Sequence, residues 1–105
     1  MTSGGVFYIN SEHPNIQFVQ YLIVDNQNIS SLEGIQAFGN LTYLSCAYNQ
    51  LISLPDLPIS LTDLKCDYNL ITVLPNLPPN LKSLLCMHNQ LTVLPALPNT
   101  VEILD

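Results

Sequence analysis

Cysteine, histidine and the carboxylates are the groups with which this chain could do chemistry, and their spacing decides what kind. Cys46, Cys66 and Cys86 stand 20 residues apart, which matches neither a C-x-x-C metal knuckle nor a C-x-x-C redox pair. His13 and His88 lie far apart in the sequence, and no glycine-rich phosphate loop accompanies either of them. These spacings assign no catalytic residue, no metal ligand and no cofactor, and the chain reads as a non-enzyme. Asn28-Ile29-Ser30 and Asn40-Leu41-Thr42 match the glycosylation pattern, but a repeat frame already accounts for their residue types. What each cysteine does have is a fixed companion three residues on, at Asn49, Asn69 and Asn89.

Those pairs are parts of a tandem array. CAYNQLISLPDLP (46–58), CDYNLITVLPNLP (66–78) and CMHNQLTVLPALP (86–98) recur every 20 residues. Blocks 41–60, 61–80 and 81–100 all read L-x-x-L-x-C-x-x-N-x-[LI]-x-x-L-P-x-L-P, and VEILD (101–105) begins another. Residues 19–40 fit as a 22-residue version, with Val24 at the cysteine position and Gln27 at the asparagine position. Residues 1–18 fall outside the frame and are expected to form an N-terminal cap. GGVFYIN would lie as a strand along the first repeat or cover its open core, and SEHPNIQF would open a helical turn.

With this frame the array resembles the leucine-rich repeat (LRR) proteins of bacteria. The block with LEGI resembles their 22-residue subtype, and the later blocks resemble the 20-residue LPxLP subtype of type III secreted effectors. The resemblance covers residues 19–105. It implies a parallel β-solenoid that binds proteins, which in the effectors sits beside a separate ubiquitin-ligase domain. Nothing in the residues of this chain resembles such a catalytic domain.

The residues lead to the same architecture by themselves. In LTYLSCAYN, Leu44 and Cys46 alternate with Tyr43, Ser45 and Ala47, the period of a short strand with one face inward. Identical connections bring each strand in from the same side, so the strands must run parallel, ~4.8 Å apart. The expected fold is a β-rich solenoid with a parallel sheet on the concave face. Its core columns are Leu41, Leu61, Leu81 and Val101; Leu22, Leu44, Leu64, Leu84 and Leu104; Ile29, Leu51, Ile71 and Leu91; Leu32, Leu54, Leu74 and Leu94; and Ile35, Leu57, Leu77 and Leu97. Pro55, Pro58, Pro75, Pro78, Pro95 and Pro98 forbid an α-helix on the convex side, which becomes extended and polyproline-like. In the longer repeat, GIQAFGN has room for a short 3₁₀ or helical turn, with Phe38 filling the wider section. Each asparagine leaves its strand at a bend, where an amide that donates and accepts can serve backbone groups without ladder partners. Removing one amide should cost ~1–3 kcal/mol. The cysteines share a column with Val24, so they read as small buried apolar groups that stay reduced.

Charge and length limit the function classes. Two lysines and no arginine face eight carboxylates, a net charge of -6, so the basic footprint of a nucleic-acid or anionic-membrane binder is missing. A basic partner is favoured. No run reaches the ~18 apolar residues of a spanning helix and the N-terminus lacks a positive n-region, so the expectation is a soluble chain, cytoplasmic or secreted without a cleaved signal.

Function must then reside on the strand positions facing solvent. The frame places there Tyr21, Ile23, Asp25 and Asn26; Tyr43, Ser45, Ala47 and Tyr48; Asp63, Lys65, Asp67 and Tyr68; Ser83, Leu85, Met87 and His88; and Ile103 and Asp105. The candidate partner-binding set is Tyr21, Tyr43, Tyr48, Asp63, Lys65, Asp67, Tyr68, Leu85, Met87 and His88, a mixture of aromatic anchors, charge and exposed aliphatic surface. For Tyr48, Tyr68 and His88 the alternative is that they only cover the asparagine turn. The expected function is a protein-interaction module taking a protein or peptide partner. Two alternatives stand beside it: a self-associating structural array, or the recognition part of a larger enzyme such as an effector-type ubiquitin ligase. Because VEILD supplies only a strand, the C-terminal end is expected either to pair with a second copy as a homodimer or to continue into a longer array.

Overall fold

The repeat lengths translate directly into a staircase of short strands. The computed structural model describes residues 14–104. Strands β1 (Tyr21–Ile23), β2 (Tyr43–Ser45), β3 (Asp63–Lys65), β4 (Ser83–Leu85) and β5 (Ile103–Leu104) form one parallel sheet in sequential order. Leu22, Leu44, Leu64, Leu84 and Leu104 stand in register across it. A parallel strand cannot be joined by a tight hairpin, so each crossover carries the remaining residues of a repeat around a core one side chain thick. The molecule measures 37 × 27 × 16 Å, a slab, as the thin proline-rich back wall requires.

That back wall contains no α-helix. The proline-containing stretches of the three 20-residue repeats are irregular and extended, with Pro58 and Pro78 themselves buried. The 22-residue repeat has a 3₁₀ turn at Ile35–Ala37, entered through Gly34 at φ 102°, a left-handed conformation that glycine adopts without a Cβ clash. Phe38 follows it into the core. A second 3₁₀ turn, Pro14–Phe18, packs on this repeat: Ile16 is buried, Gln17 Nε2 donates to Ala37 O at 3.1 Å, and Asn40 Nδ2 donates to Gln17 O at 2.7 Å. The strand expected in GGVFYIN lies outside the described residues.

In the middle of the array the core columns are sealed: Leu41, Leu44, Leu51, Leu61, Leu64, Ile71, Leu81 and Leu84 have no exposed surface. The columns open toward the C-terminal side. Leu94 and Leu97 are 42% and 41% exposed, whereas Leu54, Leu74 and Leu57 of the same columns are buried, and Leu91 and Val101 are half-buried. The expectation that these are core residues is corrected on a simple ground: a solenoid residue is covered by the repeats on both sides of it, and on this side no further repeat is packed among the described residues. Cys46, Cys66 and Cys86 are buried thiols in the column that begins with Val24. Burial first, then the charges of Asp25 and Asp67, pushes the Cys46 thiol up to about 12, and burial raises Cys66 as well.

Candidate functional site

The end of each strand is where the sheet changes character, and the asparagines cause it. Backbone bonds from one repeat to the next continue through Cys46 N–H to Lys65 O at 2.8 Å and Tyr48 N–H to Asp67 O at 2.9 Å. Asn49 then enters from the core side. Its Oδ1 accepts from Gln27 N and Ile29 N, both at 3.0 Å, and its Nδ2 donates to Val24 O, Cys46 O and Ala47 O at 3.0–3.1 Å. Asn69 and Asn89 repeat this, accepting from Leu51 N and Ile71 N and donating to carbonyls of their own and the preceding repeat. The asparagines are structural pivots that let the chain leave the sheet without buried groups losing partners.

The pivot creates a need that a carboxylate meets. With Val24 O committed to Asn49, the Ala47 N–H is served by Asp25 Oδ1 at 2.9 Å, which also accepts from Ser45 Oγ at 2.7 Å. Two repeats on, Cys66 O is committed to Asn89 and the Met87 N–H is served by Asp67 Oδ1 at 2.8 Å. Asp67 is therefore part of the scaffold as well as of the face. Ser45 and Ala47, expected at the surface, are buried at 3% and 6% exposure. They are the smallest side chains in their rows, and both residues are hydrogen-bonded to Asp25 Oδ1.

Beyond the sheet edge the same bend forces the next residue into the left-handed region: Asn26, Tyr48, Tyr68 and His88 have φ of 55–58°. For a residue with a side chain this costs ~1–2 kcal/mol, and asparagine tolerates it best. Tyr48, Tyr68 and His88 gain a compensation in their rings. Tyr48 and Tyr68 stack with centroids 4.4 Å apart at 8°, and Tyr68 and His88 at 4.3 Å and 17°, contacts of ~0.5–1.5 kcal/mol each. The Tyr48 phenol is held above its ordinary value by partial desolvation first, then by Tyr68 and by the charges of Asp67 and Asp25. The rings stack along the turn column, and Tyr48, Tyr68 and His88 are all exposed.

The other candidates divide along the array. Tyr21 and Tyr43 meet on β1 and β2 with centroids 6.1 Å apart, and beside them Ile23 is exposed, so the N-terminal half of the face is aromatic and aliphatic. Asp63, Lys65 and Leu85 are half-buried on β3 and β4, and Met87 is exposed next to His88. Asp63 Oδ2 accepts from Thr62 Oγ1 at 2.9 Å. The side chains of Ile103 and Asp105 lie outside the described residues. Phe18, at the end of the Pro14–Phe18 turn, is 80% exposed. Its sequence neighbours gave no sign of this, because it precedes the repeat frame. Among the described residues no helix is long and apolar enough to cross a membrane.

No family model and no curated protein matches the sequence. Solved structures do. The LRR domain of a Shigella effector is 42% identical over 82% of this chain, with a TM-score of 0.77, and YopM from Yersinia enterocolitica WA-314 is 36% identical over 80%, with a TM-score of 0.71. The chain spans 39% and 18% of the lengths of these two neighbours.

Proposed function

Because this chain is a leucine-rich-repeat protein of the bacterial effector type, we propose that it is a protein-interaction module that takes a protein or peptide with basic character on its strand face. The observation that carries the reading is the row of large side chains left uncovered on that face: Tyr21, Ile23 and Tyr48 are 69%, 66% and 52% exposed. Uncovered aromatic and aliphatic side chains on a rigid sheet are what binding hot spots are built from. The net charge of -6 favours a cationic partner through steering and charge complementarity.

The test compares proteins captured from a cell lysate by the wild-type chain, by a Tyr43→Ala/Leu85→Asp variant, and by an Ile59→Asp control on the back edge, where Ile59 is also exposed. A partner retained by wild type and the control but lost by the face variant supports the reading. Equal retention by all three would move the site off the strand face. A second reading rests on the exposure of Leu94 and Leu97: a second copy meeting this end would cover them as a homodimer. Sedimentation over a wide concentration range with and without Leu97→Glu decides it, since a dimer should be abolished by the charge and a monomer at all concentrations removes the idea. In a longer protein the same face would serve as the recognition part beside a catalytic domain such as a ubiquitin ligase.

A further inference from the structure

Among the described residues the ring stack ends in two outer faces, that of Tyr48 and that of His88, and the Asp25 carboxylate lies on the Tyr48 side. Within the stack the ring faces are occupied, Tyr48 by Tyr68 and Tyr68 by both neighbours. The outer face of Tyr48 points along the array toward Asn26, the previous member of the left-handed column. An asparagine side chain ends at its amide and is too short to cover the phenol half of a tyrosine ring, and Tyr48 stays half-exposed. Next to Asn26, Asp25 uses Oδ1 for Ser45 and Ala47, and Oδ2 accepts no hydrogen bond among the described residues. Asp67 likewise commits only Oδ1.

We propose that the outer face of Tyr48 and the free oxygen of Asp25 together seat an arginine side chain of the partner, with the Asn26 amide at its edge and the aliphatic Ile23 receiving an apolar neighbour of that arginine. A guanidinium is the cation that fits this pair: it is flat enough to lie on a ring face and presents forked donors to a carboxylate, whereas an ammonium does only one of these well. The site offers acceptors and a π-face but no donor fork of its own, and it lies on a chain with two lysines and no arginine, so charge complementarity points to a cationic occupant rather than an acidic one. The Tyr48 phenol is raised by partial desolvation first, then by Tyr68, and last by Asp67 and Asp25; the negative charge of these two carboxylates beside the ring attracts a cation. This deepens the interaction-module reading and rests on it.

The experiment titrates the full chain with the peptide acetyl-Leu-Arg-Leu-amide, following backbone amide signals of residues 23–27 and 47–49, and repeats it with citrulline in place of arginine. Citrulline keeps the planar shape and removes the charge. The expected result is saturable shifts at these residues, weakened about tenfold by citrulline, the loss of one charge-assisted hydrogen bond, and weakened by added salt. Asp25→Asn keeps the Oδ1 acceptor for Ser45 and Ala47 while removing the charge, so it should fold and still lose about tenfold. Tyr48→Phe should bind and Tyr48→Leu should not. Equal binding of the citrulline peptide, or an Asp25→Asn variant that binds as wild type does, overturns the proposal. If Asp25→Asn releases no captured partner while Tyr43→Ala/Leu85→Asp does, the arginine seat fails and the strand-face reading stands; if neither does, both fail.

Discussion

Replacing Asn69 by alanine tests the construction of the whole array at one atom group. Asn69 is the most buried of the three pivots, at 5% exposure. Its Oδ1 accepts from Leu51 N at 3.0 Å, and its Nδ2 donates to Cys46 O, Cys66 O and Asp67 O at 3.0–3.2 Å. Alanine leaves the Leu51 N–H without a partner in the core, while the Cys46 and Cys66 carbonyls keep Asn49 and Asn89 as donors and Asp67 O keeps Tyr48 N–H. One stranded group costs ~1–3 kcal/mol, a substantial fraction of the ~5–15 kcal/mol that holds a domain of this size. In urea, with a slope of ~1–3 kcal/mol per molar, the midpoint should fall by roughly 1 M at an unchanged slope. Asn89→Ala provides the comparison: its side chain is half-buried, water can replace part of what is lost, and the cost should be smaller. A loss at Asn69 below about 1 kcal/mol would refute the pivot role.

Leu64→Ala removes a side chain with no exposed surface between Leu44 and Leu84 and should cost ~2–5 kcal/mol in the same assay. Tyr68→Ala gives up two ring contacts while keeping the left-handed backbone and should cost about 1–3 kcal/mol; Tyr68→Asn, better suited to that backbone, should cost less, and equal losses would mean the stack does not compensate the strain. Thiol titration without denaturant should find all three cysteines slow to react, and three rapidly reacting thiols or an intramolecular disulfide would contradict their burial. Stability should fall with alkali: the Cys46 thiol titrates at about 12 when folded against ~8.5 unfolded. Its contribution is thus fully present below the unfolded value and is lost, by up to ~1.4 kcal/mol per pH unit, as pH rises through that window. Cys46→Val should flatten this slope.

How much was written in the sequence depends on what repetition can encode. A period of 20 residues with leucines at fixed positions forces equivalent residues into columns, so the parallel sheet, the buried cysteine column and the proline-rich back wall follow from pattern alone. The asparagines were legible for the same reason, because a bend recurring at one place needs the same donor and acceptor each time. Position in a column says which way a side chain points, but not what its neighbours leave of it. Ser45 and Ala47 occupy face positions yet are buried, being the smallest side chains in rows of larger ones. Asp25 and Asp67 occupy the same column, and only the committed carbonyls of Val24 and Cys66 reveal why a carboxylate is useful there. The aromatic recurrence at Tyr48, Tyr68 and His88 was visible, but its left-handed backbone and its face-to-face stacking were decided by a turn geometry that spans two repeats. Tertiary structure alone also set the ends of the core, because burial in a solenoid is conferred by the repeat next door, and a residue's own repeat cannot say whether that neighbour is in place.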